Sequence, residues 1–149
     1  MPDKWRIPLE EEPENAEQLL AEAGRLVGQD LRTTFPHASV TLAFNAQGDP
    51  FLLLSGVGCQ TPIWICVDDR QSVNTVAVTE LVLDSGMFDH YLTPWPVCPV
   101  HPSGSHSLRP IARGEQAAWI CAEANVTVAL IGELASAIFR AQPGVTSSP

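Results

Sequence analysis

The sequence predicts one α+β domain: an N-terminal helix packed on an antiparallel β-meander, a second helix, and a C-terminal three-strand β unit. Three observations carry this expectation. The chain has 149 residues, 45% of them hydrophobic, which suits a single buried core. Its apolar residues first recur at helical spacing and then switch to alternation. Turn-forming residues cut the remainder into strand-length segments. Residues 1–13 read as an acidic flexible arm, with the run Glu10-Glu11-Glu12, and residues 143–149 as a disordered tail of small and turn-forming residues. Residues 14–142 are then the single domain.

The first helix is predicted from about Asn15 to Thr33. Ala16, Leu19, Leu20, Ala23, Leu26, Val27 and Leu31 form its apolar stripe. Asn15 and Gln18 have the spacing of a capping box, and Pro36 follows the end. Val40, Leu42 and Phe44 alternate as a strand, Asn45 to Pro50 is turn chemistry around Gly48, and Phe51 to Val57 returns. Ile63 to Val67 is expected as a third strand, rich in β-formers. The first helix should lay Leu19, Leu20, Leu26 and Val27 against Leu42, Phe44, Leu53 and Ile65. From Ser72 to Leu92, helical spacing competes with β-branched residues, and a helix capped by Ser72 is favoured. Pro94, Pro96, Pro99 and Pro102 enforce an irregular loop. Short strands are predicted at Leu108 to Ala112, Ala117 to Cys121 and Val126 to Ile131, with turns at Arg113-Gly114 and Ala124-Asn125. A last helical stretch spans Gly132 to Arg140.

The formal charge is −9. Such a surface repels phosphate backbones, so nucleic acid is not an expected partner. Asp3, Glu10, Glu11, Glu12, Glu14, Glu17, Glu22 and Asp30 crowd the first 30 residues against Lys4, Arg6 and Arg25. That imbalance points to a protein partner of basic character. No apolar run reaches membrane-spanning length, so no membrane association is expected. No apolar segment of signal-peptide type follows Met1. A cytoplasmic location is therefore expected, with Cys59, Cys66, Cys98 and Cys121 as thiols.

Candidate chemistry concentrates late in the chain. Cys98 and His101 have the C-x2-H spacing with which a tight turn can present sulfur and nitrogen to one metal ion. Cys121 lies in a predicted strand, and His106 can return through Pro102, Ser103 and Gly104 as a fourth ligand. The predicted metal set is Cys98, His101, His106 and Cys121, with zinc as the cofactor. Glu123 is a further possible ligand, though of a type rare in structural zinc sites. The bland alternative makes Cys121 a small core residue and leaves both histidines on the loop surface. Cys98 could instead act as a nucleophile with His101 or His90 as base. Cys66 reads as a core thiol, and Gly56-Val57-Gly58 before Cys59 lacks the third glycine of a dinucleotide-binding loop. Asp68, Asp69, Asp84, Asp89 and His90 are read as caps and solvated positions. Of the tryptophans, Trp64, Trp95 and Trp119 are expected as core and hinge anchors, and Trp5 as a possible partner anchor on the arm.

Trp95, Pro96, Cys98, Pro99 and His101, then His106 and Leu108, Trp119 and Cys121, and Ile131, Gly132 and Leu134 form the pattern W-P-x-C-P-x-H, H-x-L, W-x-C, I-G-x-L. In this pattern the chain resembles a group of small uncharacterised bacterial proteins. The resemblance covers about the last third of the domain. It implies shared architecture, with the Cys-Pro-x-His turn and the Trp-x-Cys strand as one unit, and no chemistry. The order of helix, meander and later helix is also similar to ubiquitin-conjugating-enzyme-like folds. Taken together, these readings predict a non-catalytic protein-binding or accessory module with a structural zinc site. The alternative is a small thiol- or metal-dependent enzyme using Cys98 and His101.

Overall fold

A computed structural model describes residues 13–58, 60–85, 95–101 and 106–141. It has the α+β order expected. Helix α1 (Ala16–Leu31) precedes strands β1 (Ser39–Phe44), β2 (Pro50–Ser55) and β3 (Thr61–Ile63). Helix α2 (Gln71–Leu83) follows, then β4 (Arg109–Arg113), β5 (Gln116–Cys121), β6 (Val126–Leu130) and helix α3 (Leu134–Ala141). The strands form two antiparallel sheets, ordered β1-β2-β3 and β4-β5-β6. Helix α1 lies on the first sheet, α2 on β4 and β5, and the two helices pack against each other.

The stripe on α1 is buried through Ala16, Leu20, Ala23, Val27 and Leu31. Gly24 brings helix and sheet close: a Cβ there would stand 2.5 Å from the Val40 carbonyl oxygen. The capping box does not form. Asn15 has φ −99° and ψ 30° and makes no side-chain cap, whereas a cap needs extended backbone. A turn from Pro13 enters the helix instead, with Ala16 N–H donating to the Pro13 carbonyl at 3.1 Å.

On the sheet side the expected contact set is corrected. Leu52 and Leu54 are fully buried and pair in register with Leu42 and Val40. Leu53, one pleat out of phase, belongs to the opposite face, and Phe44, at the strand end, is 50% exposed. The third strand is also shorter and earlier than expected, because pairing with β2 stops at Ile63. Cys66 is consequently exposed, not a core thiol. Trp64 is 46% exposed and stacks on Phe51 with ring centroids 4.7 Å apart, so it anchors no core. Trp95 and Trp119 do.

Helix α2 buries a polar face, which explains its ambiguous sequence. Thr75 and Thr79 hydroxyls donate to the carbonyls of Gln71 and Thr75, the back-bonding that lets buried threonines sit in a helix. Ser72 is not the cap. It is buried and donates to the Gly114 carbonyl at 2.8 Å, tying α2 to the β4–β5 turn. The entry to α2 is held by Asn74, whose amide accepts from Asp68 N–H and donates to the Asp68 carbonyl. The helix expected to run to Leu92 stops at Leu83, where Asp84 takes the C-cap position and its N–H donates to the Glu80 carbonyl. Residues 86–92 of that expected helix, the predicted acidic arm apart from Pro13, Cys59, and the predicted tail lie outside the described residues. No helix among the described residues is long and apolar enough to cross a membrane.

Candidate metal centre

Two short backbone segments build the centre. Residues 95–98 and 106–108 run antiparallel: Cys98 N–H donates to the His106 carbonyl at 3.2 Å and Leu108 N–H to the Pro96 carbonyl at 2.8 Å. A bridge between Val97 and Ser107 lies between these bonds. This pairing sets Cys98 beside His106, and the turn after Cys98 brings His101 back over the same spot. Cys121, at the end of β5, completes the group from the second sheet.

The four residues named from the sequence therefore come together. Their ligand atoms all lie within 4.8 Å of one another. His101 Nδ1 is 3.7 Å from Cys98 Sγ and 3.5 Å from Cys121 Sγ, and His106 Nε2 is 3.5 Å from Cys121 Sγ. A zinc ion bonds sulfur at about 2.3 Å and imidazole nitrogen at about 2.0 Å, so a tetrahedral angle separates such ligands by about 3.5 Å. These three sulfur–nitrogen separations match that figure. Cys98 and Cys121 are buried, and the histidine side chains are 35% (His101) and 19% (His106) exposed. Burial pushes the Cys98 thiol up from its ordinary value, against the pull of the His101 and Val100 backbone N–H groups, and neighbouring Cys121 adds to the rise. Glu123 does not join the four. Its carboxylate stands behind both rings, 3.6 Å from His106 Nδ1 and 3.9 Å from His101 Nε2.

The scaffold behind the sulfurs is anchored on the end of α1. Each cysteine follows a tryptophan, in Trp95-Pro96-Val97-Cys98 and Trp119-Ile120-Cys121. The Trp95 and Trp119 rings meet edge to face with centroids 5.6 Å apart. Trp95 Nε1 donates to Thr34 Oγ1 at 3.1 Å, and Trp119 Nε1 to Asp30 Oδ2 at 2.7 Å. Asp30 also accepts from Gly132 N–H at 2.7 Å and Leu134 N–H at 3.0 Å, and so caps α3 from a different helix. Burial raises its carboxyl above the ordinary value, with Glu133 adding to the rise. The three donors pull the other way.

Asp30 is the important residue that sequence reasoning missed, and its inclusion in an acidic surface is corrected: it is 1% exposed. The signal was its place on the apolar stripe with Val27, in the last turn of a helix, where a carboxylate opposes the macrodipole. Among the described residues the other acids named from the sequence do not cluster into a site. Asp68 pairs with exposed Arg70, Asp69 and Asp84 are exposed, and Asp89 and His90 lie outside the described residues. No protein-family model matches the chain, and no curated protein or solved structure matches it.

Proposed function

We propose that Cys98, His101, His106 and Cys121 hold one structural zinc ion, and that the chain is a non-catalytic accessory module acting by binding another protein. The observation that carries the zinc reading is the closed set: two thiols and two imidazoles, all from the protein, within 4.8 Å of one another and with three sulfur–nitrogen separations of 3.5–3.7 Å. Structural sites fill all four positions in this way, whereas catalytic ones keep one for water or substrate. The enzyme reading needs Cys98 to meet a substrate, and Cys98 is 1% exposed. The partner reading rests on the charge of −9 and the acids of the N-terminal segment, which favour a basic partner and salt-sensitive association.

Elemental analysis of protein purified without added metal tests the zinc reading. One equivalent of zinc per chain is expected, and a melting temperature indifferent to chelator would refute it. Pull-downs at low and high salt, with the full chain and a chain lacking residues 1–13, test the partner reading. Retention of a basic protein by the full chain at low salt only is the expected outcome. Identical partner sets under all four conditions would remove the acidic arm from the interaction, and a turnover lost in Cys98→Ser with the fold intact would establish the enzyme reading.

A further inference from the structure

The two histidines of the centre turn different nitrogens toward the sulfurs. His101 presents Nδ1 and His106 presents Nε2. A nitrogen that binds a metal carries no proton, so the remaining proton of each neutral ring must sit on its far nitrogen. Those far nitrogens are His101 Nε2 and His106 Nδ1, and a single atom, Glu123 Oε2, faces both. The need is acute at His106: its Nδ1 is buried and has no hydrogen-bond partner. A buried N–H without an acceptor is penalised, and that cost would fall on metal binding by His106.

We propose that Glu123 is the positioning residue of this centre: on metal binding its exposed side chain closes the 3.6 Å and 3.9 Å gaps so that one carboxylate oxygen accepts from both imidazoles, fixes their opposite tautomers, and strengthens them as metal ligands. The inference rests on the zinc reading above. The β5–β6 turn makes it possible. Cys121 ends β5, the chain reverses over residues 122–125, and Asn125 takes the left-handed conformation at φ 53° that closes the turn. One segment thereby delivers a ligand, Cys121, and the acceptor that orients the two histidine ligands. The Glu123 side chain is 63% exposed, so its swing toward the rings meets no packed core. Deprotonation of Cys98 and Cys121 supplies two negative charges that balance a divalent cation, and the carboxylate behind the rings adds a further one that favours the loaded state.

The test compares the full chain with Glu123→Gln and Glu123→Ala. Zinc affinity is measured by competition with a chromogenic chelator, and cobalt(II) is added separately to read the ligand field. Glu123→Ala is expected to weaken zinc binding about 10–100-fold, and Glu123→Gln, which keeps an acceptor and loses the charge, by less. Nitrogen-15 NMR of the loaded parent should place protons on His101 Nε2 and His106 Nδ1, with the His106 proton lost to fast exchange in Glu123→Ala. The metal-free proteins should melt alike, which separates positioning from a folding defect. Glu123→Ala binding zinc as tightly as the parent would overturn the proposal while leaving the zinc reading intact. A parent chain that binds neither metal would overturn both.

Discussion

The two sheets are held in different ways. The first contributes Val40, Leu52, Leu54 and Ile63 to the core, facing Leu20, Ala23 and Val27 of α1. Its inner face is aliphatic and needs no directional bond. The second sheet contributes Ala118, Trp119, Cys121 and Ala129, and β4 buries no residue. What it lacks in aliphatic area it makes up with directed contacts. Asp30 ties Trp119 to the start of α3, Ser72 ties α2 to the β4–β5 turn, and the Cys/His group brings residues 98, 101 and 106 together with Cys121 at the end of β5. The contrast marks where this protein tolerates change. Apolar burial is roughly proportional to area and accepts small shifts, whereas a metal centre and a buried carboxylate require particular atoms in particular places.

The largest effect expected is in the aliphatic half. Leu54→Asp places an unpaired charge at a fully buried site and should abolish soluble folding with or without zinc. Circular dichroism and soluble yield measure this, and a stable variant would break the assignment of that half. Next comes metal removal. Chelator, or Cys121→Ser, should cost several kcal/mol, less than the roughly 10–16 kcal/mol that isolated zinc fingers draw from the metal, because the first sheet is expected to stay folded. Amide hydrogen exchange should then show β4–β6 losing protection while β1 and β2 keep it. Uniform loss across both sheets would erase the distinction between them.

A smaller effect is expected from Asp30→Asn. An amide can serve the Trp119 and Gly132 donors through its oxygen, but its own N–H then faces Leu134 N–H. The cost should be about 1–3 kcal/mol by urea denaturation, with Trp119 fluorescence reporting the change. The smallest effect is in pH. Burial raises the Asp30 carboxyl in the folded state, so the folded chain binds more protons than the unfolded one above the ordinary carboxylate range. Its contribution is complete below the unfolded value and is lost as pH rises through the folded one. The stability margin of the parent over Asp30→Asn should therefore shrink with rising pH. A margin that grows would show that the three donors outweigh burial.

What a local period can encode was legible along the chain. The stripe from Ala16 to Leu31 fixed a helix, Gly48 and Gly114 marked turns that adopt positive φ, and the C-x2-H spacing placed Cys98 and His101 on one turn. Local period failed where composition is uniform. Phe51 to Leu54 is apolar throughout, so no alternation shows that Leu52 and Leu54 face inward while Leu53 does not. Ile63 to Val67 has the same defect, and only the pairing with β2 shows the strand ending before Cys66. Tertiary structure alone decided the long-range bonds. Asp30 meets Trp119, Gly132 and Leu134 across sequence separations of 89, 102 and 104 residues. Glu123 stands behind the histidines and not among the four clustered side chains because the β5–β6 turn aims it there. No spacing rule reaches such contacts, since their geometry is set by how α1 crosses to the second sheet and not by any neighbour in the chain.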